Sequence, residues 1–193
     1  MAVAPIDSRV SRREDQDAQA WGEGGRSVID IRIEPADEKD VLDCVASPAD
    51  QRFFLDRIRR GPGAGHAFLA FQGSVAVGHV YLRLEAAEEE QIRDLLPGVP
   101  LLERLRVFDP HRNQSVGRQL VAAVEDAARR ANRRQLALGV DVREPHPIDF
   151  YLKLDYKEWE HGLVKTSTEE KIDGRWERKP EFCRIFVKEL RTP

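Results

Sequence analysis

The β-branched run Val28, Ile29, Ile31 and Ile33, closed by Pro35, reads as a first strand. Behind it, Val41, Leu42 and Val45 within 38–46, and Phe53, Phe54, Leu55 and Ile58 within 51–58, recur at helical spacing and predict two short helices. GPGAG at 61–65 signals a turn. HAFLAFQ and VAVGHVYLRLE then read as two strands joined at Gly73 and Ser74, an antiparallel hairpin. The segment 86–100 starts acidic and ends LLPGVP, which suggests a short helix and loop. LLERLRVF (101–108) predicts a strand. Val116 to Asn132 is the strongest helix, since Val116, Leu120, Val124, Ala127, Ala128 and Ala131 fall at spacings of three and four while Arg118, Glu125, Asp126, Arg129 and Arg130 lie off that stripe. QLALGVDV (135–142) has the look of a strand buried on both faces, so strand, helix and strand form a βαβ unit with parallel strands. REPHP breaks the chain before a short helix at 148–154. Two last strands are expected at roughly 157–166 and 182–190, with EEKIDGRWERKP as a long hairpin loop between them.

Residues 1–27 have almost no large apolar side chain except Val10 and Trp21, and read as a mobile tail ahead of one domain spanning 28–193. The whole chain of 193 residues is the right size for a single core. It shows no apolar run of about 18 residues and no signal-peptide pattern, from which a cytoplasmic protein with no membrane partner is expected. Cys44 and Cys183 are far apart and belong to no Cys/His cluster, so neither a disulfide framework nor a metal site is expected. A net charge of -3 with both signs interspersed argues against nucleic acid as the main partner. Any anion site must therefore be local.

The stretch RVFDPHRNQSVGRQL has the outline of one. A strand enters a polar turn of small residues and passes directly into a helix, which presents backbone N–H groups at the positive end of the helix dipole, flanked by Arg112 and Arg118. An ordinary strand-to-helix connection with solvated arginines has the same outline, and the turn alone does not separate the two.

The order of elements around this turn resembles that of the GNAT superfamily of acyl-CoA-dependent N-acetyltransferases. The family's phosphate motif, Gln or Arg, two residues, Gly, one residue, then Gly or Ala, is matched by Arg112, Asn113, Gln114, Ser115, Val116 and Gly117. Leu105, Arg106 and Val107 match its L-x-V strand, Pro110 stands where the family often has proline, and FYLKLDY (150–156) is similar to its aromatic-Tyr-x-x-x-Gly-aromatic ending. The likeness runs from about Val28 to Leu190 in element order and is motif-specific from Leu101 to Tyr156.

The resemblance implies an α/β (α+β) fold with a mixed, mostly antiparallel sheet of six or seven strands, a central splayed parallel pair and about four helices. It implies acetyl-CoA as cosubstrate and no metal. Backbone groups of Leu105 to Val107 would pair with the pantetheine arm like an added strand. The turn Arg112, Asn113, Gln114, Ser115, Val116, Gly117 and Arg118 would cradle the pyrophosphate, with the thioester between the splayed strands and the acceptor approaching from the opposite side. Tyr151 matches the family tyrosine that protonates the leaving thiolate, the alternative being an aromatic that packs the short helix. Phenol suits that task because its usual pKa, about 10, lies above that of a thiol, about 8.5.

Glu103 is the preferred base: strict alternation puts it on the face of Leu105 and Val107, at a position where some members carry a base. A solvent-facing Glu paired to Arg104 or Arg106 is the alternative. His146 is a weaker candidate, and His111 would at most aid phosphate binding.

Five positions depart from the family. Ser115 replaces the first motif glycine, Glu144 and Pro147 replace the Asn and Ala of a coenzyme contact, Gly139 stands where some members place a catalytic glutamate, and Asp155 replaces the glycine ending the short helix. Of these, Asp tolerates the left-handed conformation well. The implied activity is direct acetyl transfer to a primary amine, a small acceptor being slightly preferred because the acidic 85–91 and the loop at 168–179 could attract a cation. The alternatives are a protein N-acetyltransferase, or a GNAT-like module that binds acyl-CoA or a partner without turnover, which Ser115 and Glu144 would suit. The family's C-terminal strands often form dimer contacts, so a homodimer is possible.

Overall fold

The computed structural model describes residues 30–144 and 147–190. The expected tail 1–27, Val28, Ile29 and His146 lie outside the described residues. The elements run β1 (Ile31–Ala36), α1 (Glu38–Cys44), α2 (Pro48–Ile58), β2 (Gly65–Gln72), β3 (Val75–Arg83), α3 (Glu90–Leu95), β4 (Leu101–Val107), α4 (Val116–Arg130), β5 (Gln135–Asp141), α5 (Ile148–Leu152), β6 (Lys157–Glu158), β7 (Val164–Ile172) and β8 (Arg175–Glu189). They form one sheet ordered β1-β2-β3-β4-β5-β8-β6, with β7 paired to β8. Every pair is antiparallel except β4 and β5, which meet in parallel at Leu101 and Ala137 alone. Beyond that single bridge the two central strands part, as the resemblance implies.

Local chemistry explains the helix starts. Asp37 accepts from the Asp40 N–H at 2.9 Å while the Asp40 carboxylate accepts from the Asp37 N–H at 3.0 Å, a reciprocal cap on α1. Ser47 caps α2, with Pro48 in its first turn. On α4 the predicted Val116, Leu120, Val124, Ala127 and Ala128, together with Val121, are buried and pack against Leu82, Leu102, Leu136 and Leu138 of the sheet, while Ala131 is only half-buried and Glu125, expected off the stripe, is buried too. Each such Leu or Val, fully buried, stabilises by about 1.5–3 kcal/mol. Val41, Val45, Phe54, Leu69 and Tyr81 form a second core on the opposite face, under α1 and α2.

Two expectations are corrected. The first strand reaches Ala36 and includes Pro35, which an edge strand tolerates. The charged segment 169–180 is no loop: β7 and β8 continue through it in register from Val164↔Cys183 to Ile172↔Arg175. Asp173 and Gly174 form a two-residue turn with φ of 48° and 82°, the conformation that Asp-Gly favours in tight hairpins. The final strands are thus one long hairpin, and the short β6 lies on the other side of β8. Among the described residues no helix is long and apolar enough to cross a membrane.

Candidate active site

The site begins with an irregularity in β4. Tyr81 faces Glu103 and His79 faces Arg106, so one residue of β3, Val80, is opposed by two of β4. Arg104 takes a φ of 54° there. This bulge breaks the alternation. Leu102, Leu105 and Val107 pack in the core beneath α4. Glu103, Arg104 and Arg106 all face α2: Glu103 stands 3.6 Å from Arg57, and Arg104 and Arg106 each donate to Asp50 at 3.3 Å. Glu103 is therefore not on the face of Leu105 and Val107, because the extra residue between them reverses the pleat.

The turn after β4 carries two left-handed residues, Asn113 (φ 63°) and Ser115 (φ 64°). Ser115 is the N-cap of α4, yet its hydroxyl makes no capping bond. The first-turn N–H groups of a 15-residue helix are thereby left for an outside acceptor. Gly117 lies in ordinary contact range of Val107 and Phe150, 3.5 Å from each for an added Cβ. Arg112 pairs with Asp109 at 3.0 Å, the Gln114 amide reaches the Pro110 carbonyl at 3.4 Å, and Gln114 Oε1 is buried without a partner. Backbone shape and the helix dipole suit a pyrophosphate. His111 is tied into the turn by its backbone N–H, 2.8 Å from the Phe108 carbonyl.

Tyr151 is positioned from behind. Its ring meets Tyr156 edge-on at 5.8 Å, and the Tyr156 hydroxyl donates to Glu125 Oε1 at 3.2 Å. Lys188 of β8 donates to the same oxygen at 2.8 Å, so α4, the segment between α5 and β6, and β8 are clamped together. Asp155 closes the α5 turn at a φ of 65°, as its tolerance of that conformation led one to expect. Burial pushes the Tyr151 phenol above its ordinary value.

A cleft of about 1280 Å³ opens where β4 and β5 part, and its lining includes Glu103, Leu105, Tyr151, Glu144, Gly139 and Cys183. Glu103 and Tyr151, distant in sequence, thus share one cavity. Burial pushes the Glu103 carboxyl up, against the pull of Arg83 and Arg57. A Cβ on Gly139 would stand 3.2 Å from Cys183 Cβ, tight for any larger residue. Cys183 lies outside the sequence motifs but on the cleft wall; burial pushes its thiol up, which disfavours the nucleophilic thiolate. Glu144 is exposed on the rim.

The acidic segment does not act as a bare attractant. Arg60 donates to Glu85 at 2.8 Å and Arg83 to Glu88 at 3.0 Å. The β7–β8 hairpin reaches across to α2 through Arg52 and Glu169, 3.0 Å apart, and through Arg52 over the Trp176 ring. Sequence reasoning missed Asp50, Arg57, His79 and Arg83. A signal existed for one: His79 interrupts the otherwise apolar VAVGHVYL.

Solved structures share this fold at low identity. An IAA acetyltransferase from Bacillus cereus is 14% identical, with 83% of this chain and 100% of that one covered at a TM-score of 0.56. A GNAT family acetyltransferase from Elizabethkingia anophelis, with acetyl-CoA bound, is 15% identical over 83% and 98% of the two chains at 0.54. A ribosomal-protein-alanine N-acetyltransferase from Brucella melitensis is 20% identical over 82% and 99% at 0.56. No curated protein sequence matches the chain as a relative. The model of the acetyltransferase (GNAT) family matches residues 31–156, the span from β1 through the turn to Tyr156, and the chain belongs to that family.

Proposed function

We propose that this protein transfers an acetyl group from acetyl-CoA to a primary amine by direct attack in a ternary complex. The observation that carries this reading is that the gap between β4 and β5 opens into one cleft holding both Glu103 and Tyr151. The bound coenzyme supplies an acyl thioester and a thiolate leaving group. Leu105 to Val107 would hold its arm along the free edge of β4, and the turn 112–118 its pyrophosphate. Glu103 takes the proton that the amine loses as its nitrogen bonds to the acetyl carbon. The carbon–sulfur bond breaks, and Tyr151 gives its proton to the sulfur. A raised phenol stays protonated until then, and a raised carboxyl is a better base than an exposed one.

A small acceptor is favoured over a protein because the β7–β8 hairpin is tied to α2 by Arg52–Glu169 and by the Arg104 hydrogen bond to Thr168 at 3.3 Å, closing a side along which a peptide would run. The competing reading is a module that holds acyl-CoA without turnover. The departure that favours it is Glu144 on the cleft rim, which stands in place of the Asn that makes a coenzyme contact in the family. Calorimetric titration with acetyl-CoA and with CoA, followed by an amine screen that reads thiol release, decides between them. Binding with thiol release supports the enzyme; tight binding without release on any amine supports the module.

A further inference from the structure

Arg104 holds a left-handed conformation at φ 54° inside a strand, at a cost of about 1–2 kcal/mol for a residue with a Cβ. Something must maintain it. The Arg104 carbonyl accepts from His79 Nδ1 at 3.0 Å. Its guanidinium donates to Asp50 Oδ1 and that of Arg106 to Asp50 Oδ2, each at 3.3 Å. Asp50 and His79 are 5% and 1% exposed. The His79 ring is held between Phe54 at 4.9 Å and Phe108 at 5.4 Å. Its Nε2 makes no hydrogen bond and lies 3.7 Å from Asp50 Oδ2, so a neutral ring carries its proton on Nδ1, where the carbonyl needs it. Arg104 also lies 4.9 Å from the centre of the Phe53 ring and donates to Thr168. One residue of β4 thereby joins α2 and β7.

We propose that Asp50 and His79 are positioning residues for acetyl transfer. They hold the Arg104 bulge, and the bulge sets both the direction of Glu103 and the gap in which the thioester lies. This inference rests on the acetyl-transfer reading above.

The test compares His79→Asn, His79→Leu and Asp50→Asn in the full chain. An Asn amide can place an N–H where Nδ1–H stands, whereas Leu fills the space and donates nothing. His79→Leu and Asp50→Asn are expected to lower kcat by about fivefold or more, while calorimetric affinity for CoA stays within about threefold because the turn 112–118 is untouched; His79→Asn is expected to keep kcat within about threefold. A smaller loss in His79→Leu and Asp50→Asn, an equal loss in His79→Asn and His79→Leu, or a loss confined to CoA affinity overturns the proposal. If the parent acetylates no amine, the transfer reading fails separately. The Arg104 Cα chemical shift, which reads its φ directly, then serves: an unchanged shift in His79→Leu and Asp50→Asn overturns the inference, and a shift toward ordinary strand values in both supports it.

Discussion

Glu103 accepts from Arg83 Nη1 at 3.4 Å through one oxygen, while its other oxygen, Oε2, stands 3.6 Å from Arg57 Nε with neither of those two atoms hydrogen-bonded. The carboxylate is thus hydrogen-bonded on one side and only ion-paired on the other. Arg57 lies 3.6 Å over the Phe53 ring, which holds its cation in place without consuming the carboxylate.

Glu103→Gln should lower kcat/KM by about 10²–10⁴-fold. In the parent, kcat/KM should fall on the acid side as Glu103 takes up a proton, with that limb set above the ordinary carboxylate range by burial. The Gln variant should lose the limb. Profiles of parent and variant that run parallel across pH would remove Glu103 from the mechanism.

Tyr151→Phe should lower kcat by about 10²-fold or more and leave CoA affinity unchanged, because the hydroxyl serves the departing sulfur and the ring serves the packing. Its raised phenol predicts no alkaline fall in the parent profile below about pH 10 from this group. Turnover of the Phe variant at the parental rate would reduce Tyr151 to a packing residue.

Ser115→Gly relieves a left-handed residue whose hydroxyl caps nothing. Stability should rise by up to about 1 kcal/mol, read as a Tm gain of a few degrees, with coenzyme affinity equal or higher. A clear fall in affinity would instead identify the hydroxyl as a phosphate ligand.

Burial lowers His79 from its usual 6.5 to about 4, against the pull of Asp50 and with the help of Arg106 and Arg104. The folded state therefore refuses a proton that the unfolded chain accepts. The stability this provides is complete above about pH 6.5 and drains away as pH falls toward about 4, by about 3 kcal/mol in all. Denaturant unfolding of parent and His79→Asn across this window checks it. The Asn variant should show a shallower acid loss, and identical slopes would refute the assignment.

Much of this was legible in the chain itself. Periodicity located α4 and the β2–β3 hairpin, because one buried face forces spacings of three and four or of two. The 112–118 turn was legible as a turn running into a helix, because small and turn-forming residues precede a strongly periodic stretch. The hairpin at Asp173 and Gly174 was legible too, in the Asp-Gly pair, but its charged flanks masked two strands that lie largely in solvent.

What the sequence by itself determined was the order of elements, which follows from local spacing; Glu103, Tyr151 and the 112–118 turn stand out as candidates only through their match to the family's motifs. Only the tertiary structure decided which way Glu103 points. That depends on one extra residue at Arg104, and a bulge is stabilised by Asp50 and His79, groups 54 and 25 positions away in the chain. Alternation is a local rule; the contacts that suspend it are made only when α2, β3 and β4 come together.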